Sequence, residues 1–495
     1  MLFTCAATDD FFRSRIDHMI DLRHPLAVLA SRMPWQEIEA QVAQVFCRKG
    51  RSGLAMPDLD LFGEQVQRAP VASNAGRPRV PLRIMIALLY LKHAFNESDE
   101  DLIQRWGETP TWQYFSGNEY FEHRWPCDPT QLVKFRKLLG EEGVEELLAR
   151  TVEVAVTLKL IASKELSRII VDSTVQEKAI AHPTDSKLLE TARVKLVEVA
   201  KAEGIELKQT YAKEGQLLGY KAGRYAHARQ FKRMRKAIKR QSTIVGRLHR
   251  EISRKMTTLS QAVQEALGVS IDKAKRLIAQ SRSKKTQDKQ AKLYSWHAPE
   301  VECISKGKSR NPYEFGVKVG IASTLQGNLI VGARSFPGNP YDGHTLNEQV
   351  EQATILMQAL DTKPQTAFVD LGYRGVDKDN LGLDIKHRGK FKSLTDQEKK
   401  SLKRRQAIEP IIGHLKADHR MNRCHLKGSI GDSLHAVLCA AGFNIRWLLR
   451  MIAKKGIGLF LRLLQACGLG QLARQLRQIF VCEPLKAGSK NWALN

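Results

Sequence analysis

Two aspartates close near-identical apolar runs. One run is Arg168-Ile169-Ile170-Val171-Asp172-Ser173-Thr174 and the other is Thr366-Ala367-Phe368-Val369-Asp370-Leu371-Gly372-Tyr373. Each is rich in β-branched or aromatic residues and gives way to turn-prone ones, so each aspartate is expected at the end of a strand. A third acid, Glu409, lies in a basic, helix-prone stretch from Arg404 to Lys416. Gathered carboxylates repel one another, and a divalent cation removes that cost. Oxygen ligands of this kind suit Mg²⁺, with Mn²⁺ as the alternative. Two such ions about 3.5–4 Å apart activate a water or a 3′-hydroxyl and stabilise the leaving oxygen of an in-line phosphoryl transfer. A lone aspartate at a strand end reads more simply as a turn cap; the matched pair followed by the glutamate segment favours metal.

On an ideal helix, steps of four and seven put Arg405, Glu409 and Lys416 on one face, a metal ligand flanked by cations for phosphate. Pro410 cannot donate to the carbonyl of Gln406. The helix must therefore kink or restart there, and the shared face is expected only for Glu409 and Lys416.

The elements that position these acids follow from periodicity. Pro25 to Phe46 reads as one or two short helices with Trp35, Ile38 and Val42 on one side, and residues 50–78 read as a Gly/Pro/Ser-rich loop. Residues 81–160 form a helical block. Leu82 to Phe95 is amphipathic, Asn96 to Asp99 can cap the next helix, Asp128 or Thr130 can cap a third, and Gly140 stops it before a fourth from Val144 to Leu160. Its cations Arg83, Arg105, Lys134 and Arg136 suggest a helix-turn-helix-like DNA binder; plain helical packing is the alternative, and core packing explains most of its aromatic residues. After the first strand, helix returns from Asp185 to about Lys292. Within it, residues 221–290 hold 20 Lys/Arg against 4 Asp/Glu. Pairing four residues apart cannot neutralise that excess, so phosphate contact by Arg233, Arg235, Lys236, Lys239 and Arg240 is expected. Glu314 to Ser323 and Leu329 to Phe336 form a hairpin, Thr345 to Leu360 a helix, Ala367 to Asp370 and Leu383 to Lys386 strands, and helix resumes near Leu402.

With the insertion at about 185–298 removed, the order is β-β-β-α-β-(β)-α, that of an RNase H-like α/β core with a mixed sheet. The expected layout is an N-terminal segment (1–75), an all-helical DNA-binding domain (76–162), the interrupted catalytic domain (163–430) and C-terminal helices (431–495). Sites in α/β sheets form beyond the carboxyl ends of parallel strands, so adjacent pairing would bring Asp172 and Asp370 together. The insertion, whose two ends must lie near the site, is expected to be an antiparallel helical pair.

Composition agrees with a nucleic-acid partner. The chain has 495 residues, a formal net charge of +27 and a pI of about 9.8. That excess calls for a polyanion, with a non-catalytic nucleic-acid binder as the bland alternative. The eight cysteines are scattered with no C-x-x-C. A reducing compartment is expected and structural zinc is not; His414, His419 and His425 near Cys424 read as surface or phosphate-contacting residues. No secretory signal is apparent, and Leu434 to Leu449, interrupted by Asn444 and Arg446, reads as a buried helix and not a membrane span.

The chain resembles the bacterial DDE-type insertion-sequence transposases, in the group whose glutamate lies in a Y-x2-R-x3-E-x6-K signature. Arg405, Glu409 and Lys416 match that spacing, while Leu402 stands at the tyrosine position. Lys306-Gly307-Lys308 with Tyr313 to Lys318, Gly338 to His344, Asp370 to Gly375 and Ile408 to Lys416 resemble further family motifs in order. The helical block at 81–140 resembles the family's N-terminal domain. The resemblance implies cutting of transposon-end DNA and joining of the 3′-hydroxyl to target DNA. It also implies Asp172, Asp370 and Glu409 as catalytic metal ligands for Mg²⁺, and at least a homodimer on paired double-stranded ends in the cytoplasm at the nucleoid. Tyr373 and Arg374, in the second-aspartate motif, join Arg405 and Lys416 as expected DNA contacts. The 38 residues from 371 to 408 leave no room for the β-rich insertion some relatives carry there. An RNase H-like nuclease that cuts without joining, and a domesticated DNA-binding protein, are the alternatives; the intact acids argue against the second.

Overall fold

The computed structural model describes residues 14–46, 80–256, 259–282, 292–305, 312–375 and 382–466. The Lys306-Gly307-Lys308 motif and the loop at 50–78 lie outside them.

The N-terminal helices expected from apolar stripes and caps form, joined by short helices at Ile16–Met19, Pro110–Phe115 and Ser163–Leu166. They are α1 (Ile16–Met19), α2 (Pro25–Arg32), α3 (Trp35–Val45), α4 (Leu82–Phe95), α5 (Asp99–Glu108), α6 (Pro110–Phe115), α7 (Pro129–Thr157) and α8 (Ser163–Leu166). Ser98 caps α5 and Asp128 caps α7. Gly140, at φ 68° and ψ −172°, breaks α7 in its middle, a conformation that favours glycine.

One sheet follows, built from β1 (Arg168–Glu177), β2 (Glu302–Ser305), β3 (Tyr313–Thr324), β4 (Ile330–Phe336), β5 (Thr366–Phe368) and β6 (Asp384–Lys386). Its order is β2-β3-β1-β5-β6, with β4 also on β3. β1 is antiparallel to β3 on one side and parallel to β5 on the other, and β5 is parallel to β6. A Cβ at Gly316 would meet the Gln176 carbonyl oxygen at 1.9 Å, so only glycine lets β3 approach β1 there.

The sheet is clamped by polar side chains aimed at strand backbone. On α13 (Leu346–Leu356), Gln352 accepts from the Ala333 amide at 3.0 Å and donates to its carbonyl at 3.2 Å. On α16 (Gly428–Ala466), Asn444 does the same for Ile330, at 3.0 and 2.8 Å, and donates to Thr151 of α7. One hydrophobic core therefore runs from Leu26 through the sheet to Leu448, with no break near residue 162. The stretch Gly428–Gly456 is long and apolar enough to cross a membrane, but 67% of its most apolar window is buried in the fold, as a core helix is.

The insertion has a separate core. Among the described residues it holds four helices, α9 (Asp185–Ala202), α10 (Ala212–His227), α11 (Phe231–Met256) and α12 (Gln261–Arg282), not the expected pair. A pair would leave the apolar side of α11, with Ile244, Val245, Leu248 and Ile252, half covered; α9, α10 and α12 all pack on it. Both ends meet at Lys178, which pairs with Glu300 at 2.9 Å and with Asp432 of α16 at 2.8 Å.

Candidate functional site

The site is built by strand register. Ile170 of β1 pairs with Phe368 of β5, and β5 ends there. Asp172 and Asp370 each lie two residues further on, so the parallel register leaves both level at the point where the sheet opens. Asp172 does not end its own strand as expected. β1 continues to Glu177 because β3 keeps pairing with it after β5 has left. Asp370 opens a 3-10 turn over Leu371–Tyr373.

The glutamate segment then crosses this opening. Helix α14 (Asp396–Arg404) starts six residues before the expected Leu402, at a Thr395/Glu398 capping box that the sequence displays. Leu402 is buried in the core. A 3-10 turn, Arg405–Ala407, follows, and α15 (Ile408–Asp418) restarts with Pro410 in its first turn, where a missing N–H costs nothing. Arg404 ties the segment to the hairpin turn through the Gln326 carbonyl and the Asn328 side chain, at 3.3 and 3.2 Å. Ile408, Ile411 and Leu415 seat α15 on the core, and its first turn carries Glu409, exposed.

Arg405 joins the two strands' acids. It is 8% exposed, and its guanidinium lies 3.3 Å from an Asp172 oxygen and 3.7 Å from one of Asp370. Lys416 is half-buried and pairs with Glu314 at 3.6 Å. Arg374 is exposed beside Asp370 in sequence. Tyr373, expected on the DNA surface, is instead only 1% exposed. Burial first, then the negative field of Asp342, Asp172 and Asp370, holds its hydroxyl protonated far above the ordinary range.

Asp342 is a site residue that the sequence alone does not single out. It accepts from Ser173 at 2.9 Å and from Lys318 at 3.0 Å, which places a further carboxylate beside the strand of Asp172. Its one signal is membership of the motif Gly338 to His344, where an aspartate among Gly, Asn and Pro reads as an ordinary turn residue.

Away from this opening, Arg233, Arg235, Lys236 and Lys239 are exposed on α11, whereas Arg240 is held by both oxygens of Glu214 at 2.6 and 3.0 Å. In the N-terminal helices most of the cations considered for DNA have partners within the fold, though only Arg136 is buried. Arg136 binds Asp99 through two nitrogens, Arg83 lies over Trp35 and Arg105 pairs with Glu97; Lys134 is exposed. His419, read as a surface residue, is buried and bonds the His93 carbonyl at 2.8 Å.

Two stretches of the chain match known protein families. Residues 58–138 match the family described as Transposase domain (DUF772), and residues 374–449 match the family described as Transposase DDE domain. The chain belongs to the insertion-sequence DDE transposases. The second match contains Arg405, Glu409 and Lys416; both aspartates lie ahead of it. A Rhizobium meliloti relative, "Uncharacterized protein ORF8 in nfe locus", is 40% identical over 223 residues, covering 45% of this chain and 95% of its own length. No solved structure matches the chain. DDE transposases act on DNA and use divalent metal ions.

Proposed function

We propose that this transposase binds transposon ends, cleaves the DNA there and joins the freed 3′-hydroxyl ends to target DNA. The observation that carries the reading is the level placement of Asp172 and Asp370 on adjacent parallel strands, with Glu409 on the helix restarting beside them. The strand order β4-β3-β1-β5-β6, antiparallel up to β1 and parallel beyond it, supports an RNase H-like core, with β2 extending the β3 edge.

The donor set suits the cation. Three carboxylates offer hard oxygen ligands, and Arg405 already brings positive charge to two of them. Asp172, Asp370 and Glu409 would hold Mg²⁺, which Mn²⁺ can replace, and the ions supply Lewis-acid activation of the attacking oxygen and neutralise the leaving one. Arg405, once released by the carboxylates, presents a planar fork that matches a phosphate with two bonds. Lys416 and Arg374 add cations along the same edge, and Tyr373 forms the floor beneath the acids.

The exposed cations of α11 act as a clamp on the DNA backbone, which positions DNA and reads no bases. Pairing of two ends implies at least a homodimer on DNA, working at the nucleoid in the cytoplasm. The test is incubation with a labelled end duplex, target plasmid and Mg²⁺. Joined product is expected. Cleavage without joining identifies an endonuclease instead, and loss of neither activity in Asp172→Asn removes the site assignment.

A further inference from the structure

Helices α4 and α16 cross in intimate contact: a Cβ on Gly442 would meet His93 atoms at 2.5 Å. At this crossing His93 of α4 faces His435 and Cys439 of α16. The two α16 residues are four apart and so share a face. All three are buried, at 1%, 4% and 0% exposure. Their donor atoms lie within 4.8 Å of one another.

The hydrogen bonds fix which atoms are available. His435 Nε2 faces the Arg420 carbonyl oxygen at 3.0 Å, a contact that requires an N–H on Nε2. Nδ1 of that neutral ring therefore carries the lone pair, and a ring nitrogen bonded to a backbone carbonyl is the usual outer support of a metal-binding histidine. Cys439 Sγ and His93 Nδ1 are 3.6 Å apart. A tetrahedral ion with bonds of roughly 2.3 Å to sulfur and roughly 2.05 Å to nitrogen separates those two ligands by about 3.6 Å. The nearby cations Lys92 and Arg136 are turned to Asp99, at 2.7 Å and at 2.8 and 2.6 Å. The thiolate supplies the negative charge that a dication needs.

We propose that His93, His435 and Cys439 form a buried site for a Zn²⁺-like divalent transition ion that fastens the N-terminal helices to α16. On binding, the Cys439 thiol releases its proton to solvent and its sulfur bonds the ion; no redox change is involved. Sulfur and imidazole select against Mg²⁺, so this site is chemically distinct from the three acids. With its ligands buried, the ion would enter as the chain folds.

The test strips the full chain with a chelator in urea and refolds it against increasing Co²⁺, the route that buried ligands require. A thiolate-to-cobalt charge-transfer band saturating at one equivalent per chain is expected. It should be bleached by Zn²⁺, unaffected by Mg²⁺, retained in Asp172→Asn and lost in Cys439→Ser. Zn²⁺ should also raise the Tm of the stripped protein. Absence of the band from the wild-type chain overturns the proposal even if Cys439→Ser does not fold. A band that survives Cys439→Ser overturns the ligand assignment.

Discussion

Arg405 should compete with metal. Its guanidinium lies 3.3 Å from Asp172 and 3.7 Å from Asp370, the two acids we assign to the ion. At an effective dielectric near 20, unit charges at these separations attract by roughly 5 and roughly 4.5 kcal/mol. Solvent reduces both. The Asp172 side chain is 22% exposed and that of Asp370 is 53%, so the net contribution is nearer about 2 kcal/mol than the ~3–5 kcal/mol of a fully buried pair. Metal entering the wild-type site displaces this contact, whereas in Arg405→Ala there is nothing to displace. The variant should therefore be less stable without metal by about 2 kcal/mol and should bind Mg²⁺ about 30-fold more tightly. Cleavage should nevertheless fall, because the phosphate is deprived of its two-bond partner. Arg405→Lys keeps the charge, so its Mg²⁺ affinity should stay near wild type while cleavage slows more than end binding weakens. Calorimetric titration of Mg²⁺ beside a gel cleavage assay measures both. Unchanged or weaker Mg²⁺ binding by Arg405→Ala would refute the competition.

Asp172→Asn, Asp370→Asn and Glu409→Gln should each abolish cleavage with end binding nearly intact, and wild-type cleavage by any one of them removes that residue from the metal set. Neutralising Arg233, Arg235, Lys236 and Lys239 together should weaken binding to all DNA sequences alike and flatten the log–log salt slope by about 0.9 for each phosphate no longer neutralised; weakening confined to the end sequence would show base reading instead. Arg240, already held by Glu214, should contribute less than these four, which single substitutions in the same salt titration would reveal. Asp99→Asn leaves Arg136 and Lys92 buried without their carboxylate and should cost roughly 3–5 kcal/mol in urea unfolding. Arg136 and Lys92 hold the Asp99 carboxyl, against the opposing effect of burial, at about 2 where the ordinary value is 3.8. The unfolded chain thus takes up this proton first, so the contribution is full above pH 3.8 and is lost as pH falls towards 2, a loss absent from Asp99→Asn.

Much of this architecture was legible because local rules and tertiary structure agree. Ser98, Asp128 and Gly140 cap or break their helices as their chemistry dictates, and the β3–β4 hairpin forms where expected, although its burial is nearly continuous and not alternating because both faces are covered. The equal spacing from each apolar run to its aspartate was the clearest signal, since parallel register turns equal spacing into equal height. What failed was non-local. Nothing in Ser173 to Glu177 says that β3 will extend β1 past Asp172, because that depends on a partner over a hundred residues away. Nothing local distinguishes an arginine on DNA from one on Asp99. Arg83, Arg105 and Arg136 have the sequence context of surface cations, and each is claimed by an acid or a ring from another element. Tyr373 follows the same logic: its place in a catalytic motif suggested contact, but the 3-10 turn after Asp370 points it into the core.

The extension of β1 beyond Asp172 gives the insertion its relation to the site. Glu177 lies five residues beyond Asp172, and Lys178 then locks the root of the helical insertion to Glu300 and to Asp432 of α16. Burial and the two acids act in opposite directions on Lys178, and the acids win, raising its pKa above the ordinary lysine value. The ammonium is thus a fixed charge at working pH, and the cost of burying it is met by two carboxylates from opposite sides. A flexible linker would let the basic helices wander from the acids. A strand continued through a β-ladder into a paired lysine does not, so the root of the insertion is fixed on the same strand as the first aspartate.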